Sequence, residues 1–240
     1  MKFFKLISIV LLLQACSEQS TDTPQIAENG HHTYTAEEFY KTTSVSGSSI
    51  SHDGTAVLVS SDATGIYNAY RQPLDGSATT ALTASTVDST FAVSWFPADD
   101  RIIYFADEGG NENDHVYVRE LDGSTKDLTP GENVKAQFAS WHEDDQQFYI
   151  VTNERDPRYF DLYKYQISDY SRELVFENND GYSPGALSPN GKWLTLGLEH
   201  SNTNSDLYAV DLTSGDNTAM LVTSRLQYYS GQHQAYICHQ

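Results

Sequence analysis

Short apolar or aromatic stretches alternate with polar turns along most of this 240-residue chain, and the alternation repeats. The segments "SSISHDGTAVLVSS" (48–61), "AVSWFPADDRIIYFAD" (92–107), "FASWHEDDQQFYIVT" (138–152) and "GALSPNGKWLTLGL" (185–198) share one layout. Each runs from a short apolar stretch through a polar turn into a strongly apolar strand. Their anchoring positions Ile50, Trp95, Trp141 and Leu187 are separated by 45, 46 and 46 residues. A second series follows in each copy: "NAYRQPLDG" (68–76), "HVYVRELDG" (115–123), "DLYKYQISD" (161–169) and "DLYAVDLTSG" (206–215). It places Tyr70, Tyr117, Tyr163 and Tyr208 at intervals of 47, 46 and 45 residues. The copies close on "TALT", "KDLT", "ELVF" and "AMLV". Two independent landmark series holding one period define an internal repeat.

Each unit predicts four strands joined by tight turns, with glycines in "HDG", "PNG" and the two "LDG" segments where a turn needs positive φ. The second strand of each unit ("AVLVS", "RIIYFA", "QFYIV", "KWLTLGL") is apolar on both faces. Such a strand is buried on both sides, as when four-stranded sheets stack face to face around an axis. The predicted fold is therefore all-β: a partial β-propeller of four four-stranded blades with a repeat of about 46 residues. The expected blades are 44–89, 90–134, 135–181 and 182–225. A β-sandwich would show cleaner in/out alternation and no fixed repeat. Before the first blade, "TYTAEEFYKTT" (33–43) predicts a short helix, with Thr35 and Glu38 at capping-box spacing.

Composition supports this reading and narrows the function. The chain carries 16 Tyr, 10 Phe and 3 Trp, and a formal charge of −19. Aromatic-rich sequence punctuated by Gly and Asp suits strands and turns. So negative a surface, without a Lys/Arg cluster, repels phosphate backbones and excludes nucleic acid as a partner.

The first residues, "MKFFKLISIVLLLQAC", stand apart. Lys2 and Lys5 form a basic start, and Leu6 to Leu13 are apolar but for Ser8. That run falls short of the roughly 20 residues needed to span a bilayer, and it matches the core of a secretory signal peptide over 1–15. "LQAC" at 13–16 resembles a bacterial lipobox, which makes Cys16 the expected lipid-attachment site and residue 16 the start of the mature chain. An ordinary cleaved signal with an incidental Cys is the competing reading. Ser17 after the Cys points to the outer membrane, so export and anchoring to a bacterial membrane, periplasmic or outer, is the expectation. Residues 16–32 are polar and read as a flexible tether. With Cys16 lipidated, Cys238 is the one remaining thiol, and no intramolecular disulfide is available.

Catalytic chemistry is harder to assemble. "GYSPG" (181–185) spells Gly-x-Ser-x-Gly, the pattern of a hydrolase nucleophile elbow. Ser183 nonetheless fails as a nucleophile. The elbow lies between a strand and a helix, whereas Ser183 is expected just before the first strand of the fourth blade, with Gly181 and Gly185 in a connection. The oxyanion hole uses the N–H after the nucleophile, and that residue is Pro184, which has none. Losing one such donor costs about 2.7–4 kcal/mol of transition-state stabilisation. "DEGGNEND" (107–114) is rich in oxygen ligands but lacks EF-hand spacing, and is expected as a solvated hairpin loop between second and third strands. His233, Cys238 and His239 are too few and too terminal for a metal site. Arg155 and Arg158 in "ERDPRYF" (154–160) suit either a substrate carboxylate or structural ion pairs, the latter preferred. No catalytic residue, metal site or cofactor is expected from these residues.

The segments "YTAEEFYKTTSVSGSSISHDG", "SSDATGIYNAYRQPLDG", "FADEGGNENDHVYVRELDG" and "NERDPRYFDLYKY" resemble the N-terminal propeller of the prolyl oligopeptidase family of serine peptidases, particularly bacterial dipeptidyl-aminopeptidase and acylaminoacyl-peptidase-like members. The resemblance covers roughly 33–215 and is more specific than the Asp-Gly pattern that TolB-like periplasmic propellers share. It implies that the four blades belong to a seven- or eight-bladed ring capping a C-terminal hydrolase domain. The family's triad lies in that domain, which would follow residue 240, so no catalytic residue transfers to this sequence.

From Asn217 to Gln240 there is no Asp or Glu, although 33 occur in the preceding 216 residues. This break, and the absence of a turn pattern after Arg225, lead to the expectation of an irregular tail over 226–240 and of a truncated or frame-shifted gene product, with a natural divergent tail as the alternative. Four blades alone are expected to form an open arc. The leading functional expectation is a lipid-anchored propeller gating peptide access to a hydrolase domain, with peptide as substrate only through that domain. The alternative is a non-catalytic TolB-like lipoprotein that binds a protein partner on a propeller face. A stand-alone enzyme ranks last.

Overall fold

The computed structural model describes residues 33–215 and 218–226. The chain separates into two units, residues 1–42 and 43–240. Within the first, α1 (Ala36–Tyr40) is a single turn and a half closed by a capping box. The Thr35 hydroxyl accepts the Glu38 N–H at 3.1 Å, and the Glu38 carboxylate accepts the Thr35 N–H at 2.9 Å. A helix this short is marginal alone, and the cap satisfies two of its otherwise free donors.

Within the second unit, the described residues form four antiparallel sheets of four strands, each in chain order. Blade 1 holds β1 (Val45–Ile50), β2 (Ala56–Ser61), β3 (Asn68–Pro73) and β4 (Thr80–Ala81). Blade 2 holds β5 (Thr90–Trp95), β6 (Ile102–Ala106), β7 (His115–Arg119) and β8 (Thr125–Asp127). Blade 3 holds β9 (Ala136–Trp141), β10 (Gln147–Asp156), β11 (Tyr159–Gln166) and β12 (Arg172–Phe176). Blade 4 holds β13 (Ser183–Leu187), β14 (Trp193–Ser201), β15 (Asn204–Asp211) and β16 (Met220–Leu226). The 46-residue repeat is thus one propeller blade. Among the described residues these four sheets do not close into a ring.

The turns explain part of the acidity. Between the first two strands of each blade, the side chains of Asp53, Asp99, Asp144 and Asn190 accept the N–H two residues on, at 2.8–3.1 Å. Between the last two strands, Asp75, Asp122, Asp169 and Asp211 do the same, each at 2.9 Å. These Asx turns mimic a backbone turn. The donated hydrogen bonds favour the carboxylate, and Asp122 and Asp169 are held below the usual range mainly by Ser124 and Ser171. Seven aspartates are therefore turn-forming residues first and surface charges second.

Three hydrophobic joints hold the blades together. Leu58 and Ala69 of blade 1 pack with Trp95, Ile102 and Tyr104 of blade 2. Ile103, Val116 and Val118 of blade 2 meet Phe148, Ile150 and Tyr165 of blade 3. Tyr149, Val151 and Leu162 of blade 3 meet Leu194, Leu196 and Val210 of blade 4. In blades 2 and 3, successive residues of the second strand, such as Ile102 and Ile103 or Phe148 and Tyr149, point into successive joints, which is why these stretches carry no polar face. Side chains pin the joints: Trp141 Nε1 donates to Ser94 Oγ at 2.9 Å, and the Tyr165 hydroxyl donates to the Leu128 carbonyl at 3.1 Å.

One local expectation needs correction. Ser183 does not precede the first strand of blade 4 but begins it, and Gly185 lies inside β13 rather than in a connection. Glycine is required there by packing, because a Cβ at Gly185 would stand 2.7 Å from Thr195 Oγ1.

Candidate functional site

Among the described residues, a cleft of about 190 Å³ opens between the β6–β7 hairpin and the connection from β8 to β9. Glu108, Asn111, Asn113, His115, Tyr117 and Glu132 are among the residues that line it. The hairpin is the "DEGGNEND" stretch, which forms a loop between second and third strands. Gly109 and Gly110 adopt φ of 64° and 73°, and Glu112 takes φ of 60°, a conformation uncommon for a side-chain-bearing residue. Two acids hold the loop: Asp88, from the connection between blades 1 and 2, accepts the Gly109 N–H at 3.0 Å, and Asp107 within the loop accepts the Glu112 N–H at 2.9 Å.

The wall below is aromatic. Tyr117 stacks on Tyr104 with ring centroids 5.2 Å apart, and the His115 ring also stacks on Tyr117, at 6.1 Å. Burial, reinforced by the Asp127 charge, pushes the Tyr117 hydroxyl up to about 12. His115 Nδ1 lies 2.8 Å from Asp127 Oδ2. Burial also raises the Asp114 carboxyl, with the Asp107 charge adding to the shift and Lys135 opposing it. The cleft thus presents carboxylates and side-chain amides over a rigid aromatic wall. It can receive donors from a passing polypeptide, and it holds no nucleophile paired with a base. No cluster of three His, Cys, Asp or Glu side chains fit to hold a metal occurs among the described residues.

Arg155 and Arg158 sit near the tip of the long β10–β11 hairpin, and both are engaged. Arg155 forms a two-pronged pair with buried Asp161 and donates to the Asn178 carbonyl at 2.7 Å. Arg158 pairs with Asp156 at 2.7 Å. Ser183 is exposed, pairs in register with Gly197, and among the described residues makes no hydrogen bond to a histidine or carboxylate. Pro184 follows it within the strand. Cys16, His233, Cys238 and His239 lie outside the described residues.

One repeated feature escaped the sequence reading. The residue two before each landmark tyrosine is polar and tied down: Asn68, His115, Asp161 and Asp206. Asn68 accepts the Ser85 N–H at 2.8 Å, Asp161 accepts the Asn178 N–H at 2.8 Å, and Asp206 lies 2.9 Å from His200. The signal was present in "NAY", "HVY", "DLY" and "DLY", but the differing side chains concealed a shared role. Each anchors the entry to a third strand.

The model of the prolyl oligopeptidase N-terminal β-propeller domain matches residues 82–236. The chain belongs to the prolyl oligopeptidase family. Over 228 residues this propeller is 26% identical to dipeptidyl aminopeptidase BIII of Pseudoxanthomonas mexicana, covering 73% of this chain and 33% of that protein. The chain therefore spans about a third of the length of this curated relative. Among solved structures, it superposes on TolB from Acinetobacter baumannii with a TM-score of 0.53 and 17% identity, over 75% of this chain and 44% of that one. A prolyl endopeptidase structure matches with a TM-score of 0.51 and 13% identity, over 75% and 35% of the two chains. At such identities the structural matches establish the propeller fold alone.

Proposed function

We propose that this propeller gates peptide access to a serine hydrolase domain in an exported, lipid-anchored peptidase, with Cys16 as the acylated residue. The family match over 82–236 carries the reading. The dipeptidyl aminopeptidase relative supports short peptides as the substrate class. The blades contribute no bond-breaking group. Their role is steric and electrostatic: stacked sheets shield the reacting site from large polypeptides, and acidic loops such as 107–114 meet a peptide at the rim.

Size discrimination tests this. Protein captured from solubilised membranes of the source cells is offered a chromogenic dipeptide substrate and, separately, an unfolded polypeptide of about domain length. Rapid cleavage of the first with little of the second is expected. Equal cleavage of both would remove the gating role.

A further inference from the structure

Joints 1, 2 and 3 link successive blades through equivalent strand faces, yet side chains lock the first two far more firmly than the third. Ser49, Ser94 and Ser140 pair with Leu58, Ile103 and Tyr149, which places one serine in each joint. The following blade sets Trp95, Trp141 and Leu187 against these faces. In joint 1, Ser49 Oγ accepts the Trp95 main-chain N–H at 2.8 Å, and Ser60 Oγ accepts the Ala92 N–H at 2.9 Å. In joint 2, Ser94 Oγ accepts the Trp141 indole N–H at 2.9 Å. In joint 3, Leu187 offers no side-chain donor, and the Ser140 hydroxyl is buried without a hydrogen-bond partner. The Trp95 indole and the Thr152 hydroxyl also lack partners, but they belong to joints 1 and 2, which other side-chain bonds cross.

The rim carrying the turns between first and second and between third and fourth strands shows the same contrast. At joint 2, Arg101 Nη1 donates to the Tyr170 hydroxyl at 2.7 Å, and that hydroxyl donates to Glu120 at 2.7 Å. Arg101 also donates to the Ile167 carbonyl at 3.2 Å, and the Lys126 ammonium lies 4.6 Å from the Tyr170 ring centre. Tyr170 holds φ of 59°, where the corresponding turns of the other blades use Gly76, Gly123 and Gly215. Such strain on a side-chain-bearing residue persists only where its surroundings enforce it. Here the enforcement is a clasp of blade 3 on blade 2. At joint 3, Gln147 stands in the place of Arg101 and Gly215 in the place of Tyr170. The bond across this rim runs between main chains, from the Glu143 N–H to the Pro189 carbonyl at 2.8 Å. The opposite rim is tied, because Asn178 bonds both the N–H and the carbonyl of Tyr182 at the entry to blade 4.

We infer that the joint between blades 3 and 4 is a built-in seam. Blades 1 to 3 move as one body, and blade 4 swings from them about the Asn178–Tyr182 connection, parting at the turn-bearing rim. The inference goes beyond the gating role and does not depend on any peptidase activity.

Thiol labelling of the purified chain tests it, with the label located by mass spectrometry to separate it from Cys16 and Cys238. Ser94→Cys and Ser140→Cys place the same group at the same position of joints 2 and 3. The first breaks the Trp141 bond and the second breaks none, so the comparison is weighted against the inference. Each rate is divided by the rate in the urea-unfolded chain, and circular dichroism confirms the β-sheet. The Ser140→Cys thiol should react at least about tenfold faster, matching the lack of one hydrogen bond to a charged group. Tyr170→Gly removes the clasp while relieving the strained turn. It should raise the Ser94→Cys rate toward that of Ser140→Cys and leave the latter unchanged. Hydrogen exchange gives the same comparison in the unsubstituted chain, because the Ala136 N–H bonds the Asp114 carbonyl across joint 2 and the Glu143 N–H bridges joint 3. Equal thiol rates, a Ser94→Cys rate unmoved by Tyr170→Gly, or a Glu143 N–H as protected as that of Ala136 would overturn the inference.

Discussion

Asp161, fully buried on β11, accepts two hydrogen bonds from the Arg155 guanidinium, 2.6 Å from Nε and 2.9 Å from Nη2. The same carboxylate accepts the Asn178 N–H, and Asn178 in turn bonds the Phe160 and Tyr182 carbonyls. One ion pair thereby fixes the hairpin tip, the third strand and the passage into blade 4. Removing the cation leaves a buried charge with one donor. Arg155→Ala is expected to destabilise the fold clearly, because it strips the buried carboxylate of two of its three donors. Arg158→Ala, which breaks an exposed, solvent-screened pair, should change stability little. Urea unfolding followed by circular dichroism separates the two, and equal losses would contradict the assignment.

Gly191 and Tyr149 lie against each other across the joint between blades 3 and 4. Gly191 has φ of 65°, and a Cβ there would overlap the Tyr149 hydroxyl. Gly54 occupies the equivalent turn of blade 1 with φ of 70° and open space around it. Gly54→Ala should therefore cost only backbone strain, about 1–2 kcal/mol, and Gly191→Ala distinctly more. Adding Tyr149→Phe to Gly191→Ala should recover part of the loss in thermal melts, since it removes the overlapping oxygen. No recovery would mean that backbone conformation alone sets the penalty.

Alkaline stability should decline in a defined window. Burial is the leading cause that pushes Tyr117, Tyr149 and Tyr163 up to about 12, with nearby carboxylates Asp127, Asp144 and Glu154 next in order. An unfolded tyrosine ionises near 10. Between these values the unfolded chain has released protons that the folded chain retains, so unfolding is favoured as pH rises. The stabilisation is complete below about 10 and lost through about 12. Absorbance titration of phenolate should show a late-titrating class of tyrosines, and a single transition near 10 would refute the shifts.

Much of the fold was legible because the repeat imposes the same demand four times. A second strand buried on both faces has to be apolar throughout, and a turn needing positive φ has to carry Gly, so Val57 to Val59 and Gly54 declared their places. The anchors Asn68, His115, Asp161 and Asp206 were less visible, because each satisfies its strand entry through different chemistry. Ser183 misled by a single residue: edge strand β13 tolerates Pro184 and a glycine, so it looked like a connection. The cleft at Tyr117 could not be read from sequence. It depends on Gly131 and Glu132 returning to the 107–114 loop, a proximity set by how β8 leads into blade 3.

Cys16 is expected to carry the membrane attachment. Cys16→Ser should move the exported protein from the membrane fraction to the soluble one and abolish incorporation of labelled fatty acid. Unchanged membrane association with no label would point to a peripheral protein instead.

The central claim is that these blades serve a serine hydrolase. An antibody to the blades, used to capture the protein from solubilised membranes, allows the captured material to be treated with a fluorophosphonate probe. The account predicts a labelled serine hydrolase that accompanies the blades and releases dipeptides. Captured blades with no labelled hydrolase and no peptidase activity would contradict it.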